Sequence, residues 1–209
     1  MPLHRSDFHY ELPLYLVAQR PPAVRSESRL LCLDPLRDAR ITDLPAELEP
    51  GDLLVFNDTR VVKARLYGEK PTGGRLELLI ERVLQNREAV AHMKVSKKPP
   101  VGTLLRMDGG VTATLLGRWP EDDGPLFRFG FSDDPHVVME QHGHVPLPPY
   151  IEHGDTAEDV QRYQTVFAAK PGAVAAPTAA LHFDEAVLAA LDARGVRRAS
   201  VKDRLFVSR

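Results

Sequence analysis

Pro50-Gly51-Asp52-Leu53-Leu54-Val55-Phe56-Asn57-Asp58-Thr59-Arg60 is the stretch from which the fold is read. A Pro-Gly turn opens it, an apolar run follows, and a polar quartet closes it. A run without polar alternation predicts a strand buried on both faces, and such strands lie in sheets covered by helices. Ligands of α/β sheets collect at strand ends, so Asn57 to Arg60 form the first candidate site.

Outward toward the N-terminus, Ser28 to Leu33 reads as a second strand, and Pro13 opens a short helix carrying Leu14, Leu16 and Val17. Toward the C-terminus, alternation takes over from about Lys63 to His144. Leu76, Leu78 and Ile80 alternate with Glu77 and Glu81, and Phe127, Phe129 and Phe131 surround Arg128. Turn signals separate these runs at Thr72-Gly73-Gly74, Asn86, Asp108-Gly109-Gly110 and Asp122-Asp123-Gly124. Short antiparallel strands with little helix predict a small closed barrel. Helical spacing then returns. Thr156 and Asp159 make a capping box, and Asp184 N-caps a helix through Val187, Leu188 and Leu191 that stops at Gly195. Val196 to Val201 begins another strand. The fold class expected is mixed α/β, an α/β domain interrupted by an inserted antiparallel β-barrel, with parts at 1–63, 64–147 and 148–209.

Composition narrows the function. The 209 residues are 43% hydrophobic and 27% charged, as in soluble globular chains, and a net charge of -2 argues against a generic nucleic-acid coat. RNA contact would have to be patchy, and Lys94, Lys97 and Lys98 form one such basic spot. No apolar stretch approaches the ~20 residues a membrane span needs. The single cysteine, Cys32, sits in the apolar run Leu30 to Leu33 and reads as a buried strand thiol. A cytoplasmic, membrane-free protein is expected.

At the strand end, Asp58 can accept paired ribose hydroxyls while Arg60 clamps a carboxylate or phosphate; the bland alternative is a salt-bridged turn. The small residues around Pro171 and Pro177, ending at His182-Phe183, let backbone approach a ligand, or else fill a core. His182 is by itself more often structural than catalytic. His136, His142, His144 and His153 raise a metal hydrolase as a further alternative, but no second cluster completes a ligand set. No phosphate loop and no dinucleotide glycine turn is present.

Read together, Asp7-Phe8, Tyr10-Glu11-Leu12-Pro13, the Pro50 to Val61 stretch with Ala64-Arg65-Leu66, Gly143 to Ile151, Tyr163-Gln164-Thr165-Val166-Phe167 and Pro171 to Thr178 resemble, in order, the S-adenosylmethionine:tRNA ribosyltransferase-isomerases of queuosine biosynthesis. The resemblance implies transfer and isomerisation of the ribosyl group of S-adenosylmethionine onto 7-aminomethyl-7-deazaguanine in a tRNA anticodon loop, giving epoxyqueuosine, adenine and methionine. It implies no metal, and a monomer is expected. Carried onto this chain, it makes His182 and Asp58 the catalytic candidates. Asn57, Thr59, Arg60, Arg65, Lys97, His144, Tyr150, Tyr163, Gln164 and Thr178 are the substrate-binding candidates. The family has Gly at Ala180 and Pro at Val95, and it continues past Val201 with a Thr-Leu-His-Val-Gly stretch that Lys202 to Arg209 does not match. A truncated form with little or no transferase activity is therefore expected, or else a non-catalytic fragment that still binds tRNA.

Overall fold

The structure, a computed structural model, describes residues 3–201. Fifteen regular elements follow one another. First come β1 (Arg29–Leu33), β2 (Leu36–Arg40), β3 (Leu53–Asn57) and β4 (Thr59–Val61). Then come β5 (Arg65–Glu69), β6 (Arg75–Val83), β7 (Glu88–Val95), β8 (Leu104–Met107), β9 (Thr112–Trp119) and β10 (Leu126–Phe131). Helices α1 (Pro135–His142) and α2 (Ala157–Arg162), strand β11 (Lys170–Ala173), helix α3 (Glu185–Ala193) and strand β12 (Arg197–Val201) complete the series.

Strands β5 to β10 close into a barrel in the order β10-β7-β6-β5-β8-β9, antiparallel throughout. Leu78 and Phe129 of the alternating runs face inward and are fully buried, as are Ala91 and Ala113. Asn86 and Arg87 both take left-handed backbone in the β6–β7 hairpin, as a tight primed turn requires. Val138 and Met139 of α1 join the same core. Asp134 caps that helix by accepting from His136 N.

Around the barrel, the flanking segments meet. β12 pairs with β3 in parallel, and β11 pairs with β4 in parallel, so chain on either side of the insertion forms common sheets. Beneath them lies a second core of Ile41, Phe56, Phe183, Val187, Leu188, Leu191 and Val196. Phe56 stacks on Phe167 with ring centroids 4.0 Å apart, and Phe183 meets Phe56 edge-on at 5.2 Å. The Thr156–Asp159 capping box and the Asp184 N-cap form as expected.

Some expectations are corrected. β3 is not buried on both faces: Phe56 is buried, but Leu53 and Val55 are 50% and 55% exposed. Among the described residues, α3 and its neighbours cover one face only. The helix expected from Pro13 is a single 3-10 turn, Leu14–Leu16, whose side chains find no core. Cys32 is half-buried rather than buried, because its two-stranded sheet with β2 stands alone. Lys202 to Arg209 lie outside the described residues. No helix among the described residues is long and apolar enough to cross a membrane.

The barrel core gives a direct stability test. Phe129 is fully buried at its centre, so Phe129→Ala should cost about 3–5 kcal/mol, measured as a lowered urea midpoint.

Candidate active site

A cleft of about 600 Å³ opens between four segments: residues 18–29, the loop from Leu147 to His153, the end of α2 with Tyr163, and the turn Thr178–His182. Its size suits a nucleoside-scale ligand. Each wall is fixed by hydrogen bonds over long sequence separations.

Arg25 is the knot. Its guanidinium donates to Gln164 O at 2.7 Å, Leu181 O at 3.1 Å and Gln161 O at 3.0 Å. Carbonyls near a helix C-terminus lack intrahelical donors and carry partial negative charge, so a cation is the natural cap. Burial, then the neighbouring Arg162, holds Arg25 below the usual arginine value, with Asp184 opposing. Arg162 donates to Ala23 O at 2.8 Å and Pro22 O at 2.5 Å, tying α2 to the proline pair. Behind this wall, Ser26 donates to Asp184 at 2.5 Å, and that bond lowers the Asp184 pKa.

Gln19 clasps the opposite wall. Its amide nitrogen donates to Tyr150 O at 2.9 Å and its amide oxygen accepts from Glu152 N at 2.8 Å. His153 completes the clasp, with Nδ1 2.9 Å from Gly154 O and Nε2 3.0 Å from Gln19 O. Carbonyls only accept, so satisfying both requires the doubly protonated ring. Those bonds raise the His153 pKa.

Two groups facing the cleft are tuned the other way. His182 Nδ1 lies 2.9 Å from Ser28 Oγ, and burial, then Arg25, lowers its pKa. It is a neutral imidazole near pH 7. Burial raises the Tyr163 pKa, against the opposing hydrogen bond from the Ala176 backbone, so its phenol stays protonated.

Of the residues singled out from sequence, Tyr150, Tyr163, Thr178 and His182 line this cleft. The others do not. Asp58 is buried, accepts from Lys170 Nζ at 2.8 Å, and has one oxygen, Oδ1, without a hydrogen-bond partner among the described residues. Asn57 Oδ1 accepts from Thr59 N at 2.8 Å, and the Arg60 side chain is exposed. Gln164 is a staple: its amide accepts from Val61 N at 3.0 Å and donates to Val61 O at 2.7 Å, fixing the α2 exit against β4. Arg65 lies 2.9 Å from Glu77 and donates to Leu147 O, while His144 contacts Asp155. Lys97 is on the barrel, its carbonyl accepting from Lys70 Nζ. Among the described residues, no group of three or more His, Cys, Asp or Glu is placed to hold a metal ion.

Sequence reasoning missed Gln19, Arg25, Ser28 and Arg162, and it weighed His153 only as a metal ligand. No local spacing marks Arg25. Its partners lie 136 to 156 residues away.

Comparison with known proteins follows the same segments. Residues 5–204 match the family model described as "Queuosine biosynthesis protein". A protein of Burkholderia pseudomallei (strain 1106a) named S-adenosylmethionine:tRNA ribosyltransferase-isomerase is 53% identical over 204 residues, covering 94% of this chain and 56% of that relative. One of the same name from Azoarcus sp. (strain BH72) is 53% identical over 199 residues, covering 93% and 56%. A solved S-adenosylmethionine tRNA ribosyltransferase from Thermotoga maritima is 26% identical, covering 94% of this chain and 57% of that one, with a TM-score of 0.34. The chain thus spans about half the length of the curated relatives it matches.

The two histidines give opposite pH dependences. His153 is held above its unfolded value, so its stabilisation is complete below about pH 6.5 and is lost as pH rises through the raised value. His182 is held below, so its contribution is complete above about pH 6.5 and is lost as pH falls through the lowered value. In thermal melts, His153→Ala should flatten the alkaline decline and His182→Gln the decline just below neutrality. Unchanged slopes would show that neither ring carries these terms.

Proposed function

Since the chain belongs to the queuosine biosynthesis protein family, we propose that its cleft is the S-adenosylmethionine site of a tRNA ribosyltransferase-isomerase. In this reading the protein is cytoplasmic and monomeric, and its tRNA substrate carries 7-aminomethyl-7-deazaguanine in the anticodon loop. The three parts at 1–63, 64–147 and 148–209 act as the opening of the α/β domain, the inserted barrel and the continuation of the α/β domain. The observation that carries the proposal is the convergence of Tyr150, Tyr163, Thr178 and His182, from three separate segments, on one cleft of about 600 Å³.

The chemistry matches these groups. A sulfonium is a cation without hydrogen-bond donors, so aromatic faces such as Tyr163 and Tyr150 are its natural recognition surface. The positive sulfur acidifies the adjoining ribose carbon. His182, neutral near pH 7, can accept that proton through Nε2 while Nδ1–H rests on Ser28 Oγ. The C–H electron pair stays on carbon beside the sulfur. Adenine leaves with the glycosidic electron pair and must be protonated, a step for which the Tyr163 phenol is a donor within the cleft. Asp58 lies outside the cleft lining, buried and held by Lys170 Nζ, and takes no part in these steps.

A second reading, that the chain is a non-catalytic tRNA-binding fragment, is favoured by one feature of the barrel. Lys98 Nζ and the Arg118 guanidinium lie over the Phe127 ring, 5.6 Å and 4.1 Å from its centroid, next to Lys97. The Phe127 ring is buried in the barrel core, so what this spot offers single-stranded RNA is cations for its phosphates.

Calorimetric titration of the 209-residue chain with S-adenosylmethionine separates the readings. Tyr163→Ala should weaken binding about tenfold, the scale of one lost aromatic contact, while Tyr163→Phe should retain most of it. His182→Gln should leave S-adenosylmethionine affinity nearly unchanged, and the same substitution in a full-length relative should lower adenine release by about 10²–10⁴. Salt-dependent tRNA binding with no S-adenosylmethionine binding would favour the second reading.

A further inference from the structure

His144 and Asp155 form an arrangement that the cleft does not account for. His144 Nδ1 lies 2.7 Å from Asp155 Oδ1, and Asp155 Oδ2 accepts from Val145 N at 3.1 Å. The Asp155 side chain is 14% exposed and that of His144 is 37% exposed. Because a carboxylate accepts, Nδ1 carries the hydrogen, and in the neutral ring the lone pair is then on Nε2. Nε2 has no hydrogen-bond partner among the described residues.

The ring is held from other directions too. Gly143 is pressed against backbone, and a Cβ there would come within 2.0 Å of Lys63 O and 2.3 Å of Met139 O, so this crossing admits no side chain. His144 and Arg65 exchange two backbone hydrogen bonds, fixing the His144 backbone on the barrel strand β5. The Tyr67 ring lies 5.0 Å from the imidazole and is itself 37% exposed, a face on which a flat base can stack. Arg65 also donates to Leu147 O, which belongs to a cleft-lining residue. The dyad therefore sits where barrel and α/β part meet, on the segment that runs through Leu147 into the cleft wall.

The reaction proposed above, on which this inference rests, needs a base at such a place. Its attacking group is a primary amine, and alkyl amines of the lysine type, with pKa near about 10.4, are ammonium ions at neutral pH. An ammonium has no lone pair with which to attack. We propose that His144, oriented by Asp155, takes a proton from this ammonium. One N–H bond breaks, its electron pair remains on nitrogen as the nucleophile's lone pair, and the proton bonds to His144 Nε2. Asp155 then stabilises the imidazolium through the Nδ1–H bond it already holds. His144 meets the substrate; Asp155 is a positioning residue.

Long-range proton–nitrogen NMR on the labelled 209-residue chain tests this, with 7-aminomethyl-7-deazaguanine as probe and 7-methyl-7-deazaguanine as the control that lacks the amine. The free chain should show His144 as the Nδ1–H tautomer. The aminomethyl probe should move Nε2 toward the protonated nitrogen shift, and the methyl control should not. In Asp155→Asn the carboxamide oxygen can keep Val145 N only by turning its NH₂ toward Nδ1. The proton then moves to Nε2, the tautomer inverts, and the response to the probe is lost. A wild-type Nε2–H tautomer, equal responses to both compounds, or an undiminished response in Asp155→Asn would overturn the proposal. So would the absence of any perturbation by the aminomethyl probe. S-adenosylmethionine binding, measured separately at the cleft, then shows whether the wider reading falls with it.

Discussion

The Phe56 ring is the point on which the candidate active site depends. It stacks on Phe167 and receives Phe183 edge-on, so one side chain of β3 holds both the segment leaving α2 and the residue after His182. Aromatic pairs of this geometry add roughly 0.5–1.5 kcal/mol each beyond the area they bury. Two adjacent hydrogen-bonded devices share the work. Gln164 fastens to Val61 from both ends of its amide, and Arg25 gathers carbonyls from α2 and from the turn before Phe183. The cleft is the space these three contacts leave open.

The inserted barrel reaches the cleft wall through Arg65. Closure removes its sheet edges, so it offers the rest of the chain few unpaired backbone groups. What it does offer is concentrated at Arg65, whose main chain pairs with His144 and whose guanidinium reaches Leu147. A rigid β unit thereby sets the position of a loop that belongs to the α/β part. The Pro-rich run from Val145 to Pro149 suits this role, since proline restricts the backbone without asking for a donor's partner.

Charge in the cleft is arranged by structure rather than by composition. The cleft is lined by a histidine whose pKa is raised, His153, and one whose pKa is lowered, His182. Two carbonyls facing one ring produce the first; burial beside Arg25 produces the second. A protonated phenol at Tyr163 adds a donor. In the proposed reading His182 is the proton acceptor and Tyr163 the proton donor.

The sequence by itself determined the local elements and their succession. Alternation at Leu76, Leu78 and Ile80 and at Phe127, Phe129 and Phe131 encoded the barrel, because a two-residue period is a property of neighbouring residues. The caps at Thr156 and Asp184 were equally readable, as their partners lie three residues away. Tertiary structure alone decided which side chains share a cavity. It set Asp58 against Lys170 outside the cleft, turned Gln164 from a contact candidate into a staple, left one face of β3 open, and recruited Arg25 and Gln19, which no spacing marks. Their partners lie 131 to 156 residues away, and contacts over such distances arise only when whole elements pack, so no local pattern carries them.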